Sequence, residues 1–125
     1  MERENTREPV ILVVDEETQI REAICDHLTQ HGFAVVDADD TDAALDLMRR
    51  HPGIRGAVLD ARLPGSVGGP ELIRLLRKER PGLAVVMTSG HSDEASGAVP
   101  EGCEFINKPN LSEELVPTIR RLLSA

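Results

Sequence analysis

Aromatic residues are nearly absent from this 125-residue chain, which contains two Phe and neither Trp nor Tyr. The interior must therefore be filled mainly by Val, Leu, Ile and Ala, and such a core suits parallel strands that are buried on both faces. Hydrophobic residues make up 40% of the chain and charged residues 29%, which are proportions of a globular protein. Because the length fits one ordinary domain, we expect a single folded unit.

Positive charge and long apolar runs are also scarce. The formal net charge is -8, which disfavours direct binding to nucleic acid, since phosphate backbones are bound by an excess of Lys and Arg. No apolar run approaches the length of about 18 residues that a membrane span needs, and residues 1–9 are charged and lack the apolar centre of a signal peptide. We expect a charged N-terminal tail (1–9), a folded domain (10–125), a cytoplasmic location and no membrane contact.

Cysteine is rare as well. Cys25 and Cys103 lie in apolar surroundings without Cys-x-x-Cys spacing, which favours buried free thiols over a metal site or a disulfide.

Five short apolar segments recur along the chain, and each predicts a buried strand. They cover residues 10–14, 34–36, 57–59, 83–87 and 103–106. Segments with helical periodicity lie between most of these strands and after the last one, so the pattern predicts an α/β fold: a doubly wound parallel sheet with helices on both faces. Between residues 92 and 100, Gly97 and Pro100 oppose helix formation, and the fourth helix is therefore expected to be short or frayed.

Polar residues stand at the ends of these predicted strands, where open parallel sheets bind their ligands. These residues are Asp15, Glu16, Asp60, Ser89 and Lys108. Carboxylates in contact repel one another by several kcal/mol at an effective dielectric of about 20, so a cation must hold them together. An oxygen-lined pocket suits Mg²⁺, and a lysine adds a second positive charge. This combination is equipped for phosphoryl transfer, with Asp60 as the best-placed nucleophile.

The motifs, in this order, resemble those of receiver domains from two-component response regulators, of the hybrid-kinase or stand-alone type. They are Asp15-Glu16-Glu17, Leu59-Asp60 with Pro64 four residues on, Ser89-Gly90-His91, and Lys108-Pro109. The resemblance covers nearly the whole chain, from Val10 to about Leu123. It implies a flavodoxin-like five-stranded sheet with strand order 2-1-3-4-5, and a domain that is phosphorylated on aspartate.

The resemblance also implies roles for the acidic residues. Asp60 would accept the phosphoryl group and bind Mg²⁺. Glu16 would be a second metal ligand, Asp15 would act on the metal through a bound water, and the backbone carbonyl of Arg62 would complete the metal site.

Further roles follow from the same resemblance. Ser89 would hydrogen-bond the phosphoryl oxygens and Lys108 would pair with them. Ser89 and Phe105 would form the conformational switch, and a cis peptide between Lys108 and Pro109 would aim the lysine inward. The implied phosphoryl donor is a sensor histidine kinase or a phosphotransfer protein, and a homodimer is possible.

Two departures from the family pattern leave an alternative open. Glu16 stands where the family more often has Asp, and the loop after Pro64 is one residue longer and lacks an acidic residue. A pseudo-receiver, which binds proteins without being phosphorylated, is therefore the alternative. A flavodoxin-like enzyme or nucleotide binder is disfavoured, since neither GxGxxG nor GxxxxGK[ST] follows the first strand.

Overall fold

Strands and helices alternate in a computed structural model that describes residues 9–90 and 100–124. The strands are β1 (Val10–Val14), β2 (Ala34–Ala38), β3 (Ile54–Asp60), β4 (Ala84–Ser89) and β5 (Glu104–Asn107). The helices are α1 (Thr18–Gln30), α2 (Thr41–Arg50), α3 (Gly69–Glu79) and α4 (Leu111–Ser124), and a 3-10 turn (Lys108–Asn110) leads directly into α4. All five predicted strands are present: β1 has the predicted bounds, and the ends of the other strands are shifted by at most three residues.

The five strands form one parallel sheet in the order β2-β1-β3-β4-β5. This confirms the predicted flavodoxin-like order. Because every strand runs in the same direction, all five carboxyl ends meet at one edge of the sheet. Strand order reverses at β1, which pairs with β2 on one side and with β3 on the other, and ligands of such sheets bind at this point.

Aliphatic clusters cover both faces of the sheet, as the doubly wound prediction requires. Successive residues of a strand point to opposite faces, so Leu12 joins one cluster while Ile11 and Val13 join the other. The first cluster contains side chains of α2 and α3, and the second contains side chains of α1 and α4. The strands are therefore buried on both sides, which explains why they appear in the sequence as continuous apolar runs.

The predicted cis peptide between Lys108 and Pro109 is wrong: residues 9–90 and 100–124 contain no cis peptide bond. Lys108 opens the 3-10 turn, and its side chain reaches the sheet edge from a trans peptide. Trans is also the intrinsically favoured isomer of an X-Pro bond, by about 0.5–1 kcal/mol.

Four other expectations concern the two thiols, the segment between 92 and 100, the N-terminal tail and membrane contact. Cys25 and Cys103 are free, as predicted, but half-buried rather than buried, because both lie at the margins of the clusters. The short helix expected between 92 and 100 falls outside the described residues except for Pro100, and the tail 1–9 does so except for Pro9. Within the described part of the chain, no helix has the length and apolar character to span a membrane.

Candidate functional site

The carboxyl ends of three strands and the turn after β5 bring polar side chains together. Asp15 follows β1, Asp60 ends β3, Ser89 ends β4, and Lys108 opens the 3-10 turn. All but Lys108 are almost completely buried, with 1%, 9% and 2% of Asp15, Asp60 and Ser89 exposed. Buried charge of this kind needs a partner, since desolvation of an unpaired carboxylate is costly.

Lys108 supplies that partner. Its Nζ atom lies 3.2 Å from Asp15 Oδ2 and 3.4 Å from Asp60 Oδ2, and its side chain is only 16% exposed. The same ammonium lies 3.7 Å from Glu17 Oε1. One lysine therefore pairs with two buried carboxylates and with a third, exposed one, and its single positive charge offsets only part of their negative charge.

Glu17 is a site residue for which the sequence reasoning assigned no role, although it belongs to the acidic motif after β1. It occupies the N-cap position of α1, and its backbone N–H donates to Asp15 Oδ1 at 2.9 Å. This turn places the Glu17 side chain beside the lysine. Its position in a run of three acids was the only available signal, and such a run does not say which acid faces Lys108.

The environment of Asp60 raises the pKa of its carboxyl group. Burial is the main cause and the charge of Asp15 acts in the same direction, whereas Lys108 and the Arg62 backbone N–H, 3.3 Å from Asp60 Oδ1, oppose it. For Lys108, burial alone would lower the pKa, but the carboxylates of Asp60 and Asp15 outweigh burial and the pKa is raised. Ionisation of Asp60 is thus less favourable here than for an aspartate in water.

Asp15 has one buried oxygen that is not fully satisfied. Its Oδ2 forms the ion pair with Lys108 but receives no hydrogen bond within the described residues. Arg21 holds the same segment from the other side, since it donates to the Asp15 backbone carbonyl at 2.9 Å and to Asp37 Oδ2 at 2.8 Å. The Asp15 carboxylate is therefore held in place, and its buried Oδ2 has the Lys108 ammonium beside it but no hydrogen-bond donor within the described residues.

A polar cavity of about 530 Å³ opens beside these groups. It is lined by Glu16, Glu17, Asp60, Arg62, Ser89, Gly90 and Lys108. Asp15 lies buried beside this cavity without lining it, and the exposed Glu16 forms part of its wall. Phe105 is half-buried, packs against the α2/α3 cluster and pairs with Met87 in the sheet, so it lies outside the cavity lining.

The donor set suits Mg²⁺ in chemistry, since it consists of carboxylate oxygens with one buried oxygen unsatisfied. Within residues 9–90 and 100–124, no three His, Cys, Asp or Glu side chains are grouped closely enough to hold an ion by themselves. A magnesium ion usually keeps several waters and needs only one or two carboxylates, and the cavity has room for such waters. The residues present therefore fit a partly hydrated Mg²⁺.

Comparison with known proteins places this geometry in a family. The family model of the response regulator receiver domain matches residues 11–120. The chain belongs to this family. As a receiver domain, it has its fold in common with proteins of two-component signalling, and the alternative of a flavodoxin-like enzyme or nucleotide binder loses its support.

Individual relatives agree with this assignment. The nitrogen assimilation regulatory protein NtrX of Azorhizobium caulinodans is 36% identical over 118 residues, which are 90% of this chain and 26% of the relative. The phosphate regulon transcriptional regulatory protein PhoB of Klebsiella pneumoniae is 35% identical over 118 residues, 90% of this chain and 51% of the relative. This receiver domain thus spans between a quarter and a half of these curated relatives.

Solved structures resemble it as well. The crystal structure of a response regulator receiver protein from Sinorhizobium medicae matches with a TM-score of 0.86 and 26% identity, and the match covers 94% of this chain and 96% of the other. The likeness therefore extends over almost the entire domain.

Proposed function

We propose that this receiver domain accepts a phosphoryl group on Asp60, in a reaction that depends on Mg²⁺, from the phosphohistidine of a sensor histidine kinase or a phosphotransfer protein. One observation carries the proposal. The Asp60 carboxylate lies at the wall of a polar cavity, with Oδ2 3.4 Å from the Lys108 ammonium. Membership of the receiver family supports a phosphoacceptor role for the domain.

The transfer needs little covalent chemistry from the protein. A carboxylate oxygen of Asp60 attacks phosphorus, the phosphorus–nitrogen bond of the donor breaks, and its electron pair returns to the imidazole. The product is an acyl phosphate on Asp60. Lys108, already within reach of Asp60, compensates the charge that builds up on the phosphoryl oxygens.

Asp15, Glu16, Asp60 and the backbone carbonyl of Arg62 are the groups we propose for the metal site. The ion would neutralise the phosphoryl oxygens and relieve repulsion between the carboxylates. Arg62 contributes a second interaction of its own, since its N–H already holds Asp60 Oδ1.

We propose that Ser89 and Phe105 convert phosphorylation into a conformational change. Ser89 lines the cavity and would hydrogen-bond the new phosphoryl group. Phe105 is joined to this strand through its pairing with Met87 and packs on the α2/α3 cluster. Movement of a two-state domain from mostly inactive to mostly active needs about 5.5 kcal/mol of differential interaction, which a dianionic group paired with a lysine and a metal can provide.

The biological setting is part of the proposal. Two relatives carry the names of regulators of nitrogen assimilation and of the phosphate regulon. For this chain we propose a signalling role in the cytoplasm without direct contact to nucleic acid or membrane, in agreement with its net charge of -8. A homodimer remains a prediction.

A pseudo-receiver is the second candidate. It is favoured by Glu16, whose longer side chain is exposed on the cavity wall, and by the direct ion pairs of Lys108 with Asp15 and Asp60. In such a protein the lysine would serve as a permanent counter-ion.

One experiment separates the two candidates. The chain is incubated with acetyl phosphate and Mg²⁺, and its intact mass is measured beside that of Asp60→Asn. We expect a gain of one phosphoryl group on the unsubstituted chain and none on the variant. Labelling of both proteins would move the acceptor elsewhere, and labelling of neither would favour the pseudo-receiver.

A further inference from the structure

The first turn of α2 is hydrogen-bonded to the loop that follows Asp60. The Thr41 backbone N–H donates to the Pro64 carbonyl at 3.0 Å. Both the backbone N–H and the hydroxyl of Ser66 donate to Asp42 Oδ2, each at 3.2 Å. Three hydrogen bonds thus join the loop of residues 61–68 to a helix more than twenty residues away in sequence.

Gly65 makes this close approach possible. Its φ is +127°, and a Cβ atom at this position would lie 2.1 Å from Thr41 Oγ1 and 3.0 Å from the Thr41 backbone N. Thr41 is completely buried and cannot easily move aside. Any side chain at position 65 must therefore distort the backbone and push the loop away from α2.

The beginning of the same loop holds the proposed phosphoacceptor. The Ala61 N–H donates to the Thr88 carbonyl at 2.8 Å, and the Arg62 N–H donates to Asp60 Oδ1 at 3.3 Å. Only Leu63 separates Arg62 from Pro64, the first residue that α2 holds. At the far end of the loop, Gly69 is packed so tightly that a Cβ there would lie 2.9 Å from the Ala61 carbonyl. The short loop is held at both ends, so a displacement of Gly65 is expected to shift the Asp60 carboxylate as well.

We propose that Thr41 and Asp42 of α2, together with Gly65, are positioning residues that set the orientation of the Asp60 carboxylate toward Mg²⁺. The inference rests on the proposed function of the site. It adds that α2 helps to orient the phosphoacceptor. None of the three residues lines the cavity. They act through the loop and not by contact with the reacting atoms.

The test compares Gly65→Ala with Gly68→Ala, which is the same substitution in the same loop. A Cβ at Gly68 would meet nothing within 4 Å, and its φ is -84°. The Mg²⁺ dissociation constant of the unphosphorylated chain is measured by isothermal titration calorimetry, and circular dichroism verifies folding at the temperature used. We expect Gly65→Ala to bind Mg²⁺ about tenfold more weakly, as is typical when groups behind a metal ligand are disturbed, and Gly68→Ala to bind like the unsubstituted chain.

Equal Mg²⁺ affinity of Gly65→Ala and the unsubstituted chain would overturn the inference, and so would equal weakening by both substitutions. A purely structural role would lower the melting temperature of Gly65→Ala and leave the dissociation constant unchanged.

A second pair of variants covers the case in which Gly65→Ala does not fold. Asp42→Ala removes the acceptor of both Ser66 hydrogen bonds, while Asp46→Ala removes the same charge from the same helix at an exposed position paired with Arg50. Weaker Mg²⁺ binding by Asp42→Ala than by Asp46→Ala supports the inference, and equal binding contradicts it.

The proposed function and this inference can fail separately. A chain that binds Mg²⁺ but gains no phosphoryl group defeats the proposed function, and the comparison of dissociation constants still decides the inference. A chain that is phosphorylated on Asp60 but binds Mg²⁺ equally well with Ala at position 65 defeats only the inference. Absence of Mg²⁺ binding by the unsubstituted chain defeats both.

Discussion

The carboxyl edge of the sheet and the sheet interior of this receiver domain differ in the side chains that they bury: polar and charged at the edge, apolar in the interior. In the described part of the chain, the buried polar or charged side chains are Asp15, Thr41, Asp60, Thr88 and Ser89, and all of them lie at or beside the carboxyl edge. The rest of the buried interior consists of two clusters of apolar, mostly aliphatic side chains. The contrast teaches that burial stabilises the fold in the apolar interior, whereas at the carboxyl edge it shifts the pKa values of charged side chains.

The largest effect on folding is expected in the interior. Leu72→Ala should lower the free energy of unfolding by about 2–5 kcal/mol, because Leu72 is completely buried in the α2/α3 cluster and its truncation leaves a cavity. Urea denaturation followed by circular dichroism measures this quantity. Leu122→Ala, at a half-buried position of α4, is the control and should cost less. Equal losses would show that the cluster is not the main source of stability.

A smaller but distinct loss is expected at the edge for Lys108→Met. The substitution keeps the aliphatic stem and removes the charge that Asp15 and Asp60 share. Unpaired carboxylates are costly when buried, and we expect a loss on the order of 2 kcal/mol at pH 7. The loss should shrink in acid, where the carboxylates become protonated. A loss that does not change with pH would contradict the role of Lys108 as counter-ion.

The edge also predicts a substitution that stabilises the fold. Asp60 has a raised pKa, mainly through burial, so its ionisation is less favourable in the folded than in the unfolded protein. The stability linked to this group is therefore fully present below the unfolded pKa and is lost as pH rises through the folded pKa.

Asp60→Asn should consequently raise the melting temperature at pH 7 in the absence of Mg²⁺; for a domain of this size, each kcal/mol gained corresponds to roughly 2–8 °C. The gain should disappear in acid. Thermal unfolding at two pH values measures both effects, and an equal or lower melting temperature at pH 7 would mean that Lys108 outweighs the cost of burial.

The smallest effect concerns the thiols at the margins of the clusters. Burial raises the pKa of Cys25 to about 11, whereas the raised pKa of Cys103 is partly offset by Arg77. Because the thiolate is the reactive form, both residues should react with iodoacetamide more slowly than free cysteine at pH 8, and Cys25 should be the slower of the two. Mass mapping of the alkylated peptides measures the order, and faster reaction at Cys25 would contradict it.

Much of the site could be predicted from the sequence because its residues stand at the carboxyl ends of strands. Asp60 closes β3 and Ser89 closes β4, and parallel strands bring such residues to one edge whatever the details of packing. The apolar runs identify the strands for the same reason: a strand covered on both faces has no room for polar residues along its length. Metal binding by Glu16 and switching by Phe105 do not follow from a position at a strand end, and both stay predictions.

The sequence by itself determined the alternation of strands and helices, the family and the residues that gather at the sheet edge, because these follow from local patterns of apolar and polar side chains. Only the tertiary structure decided that Glu17 faces Lys108, that Lys108 needs no cis peptide, and that Gly65 lies against Thr41. These last features join residues that are far apart in the chain or depend on the direction of a single side chain. They arise from packing in three dimensions, which leaves no periodic trace in the sequence.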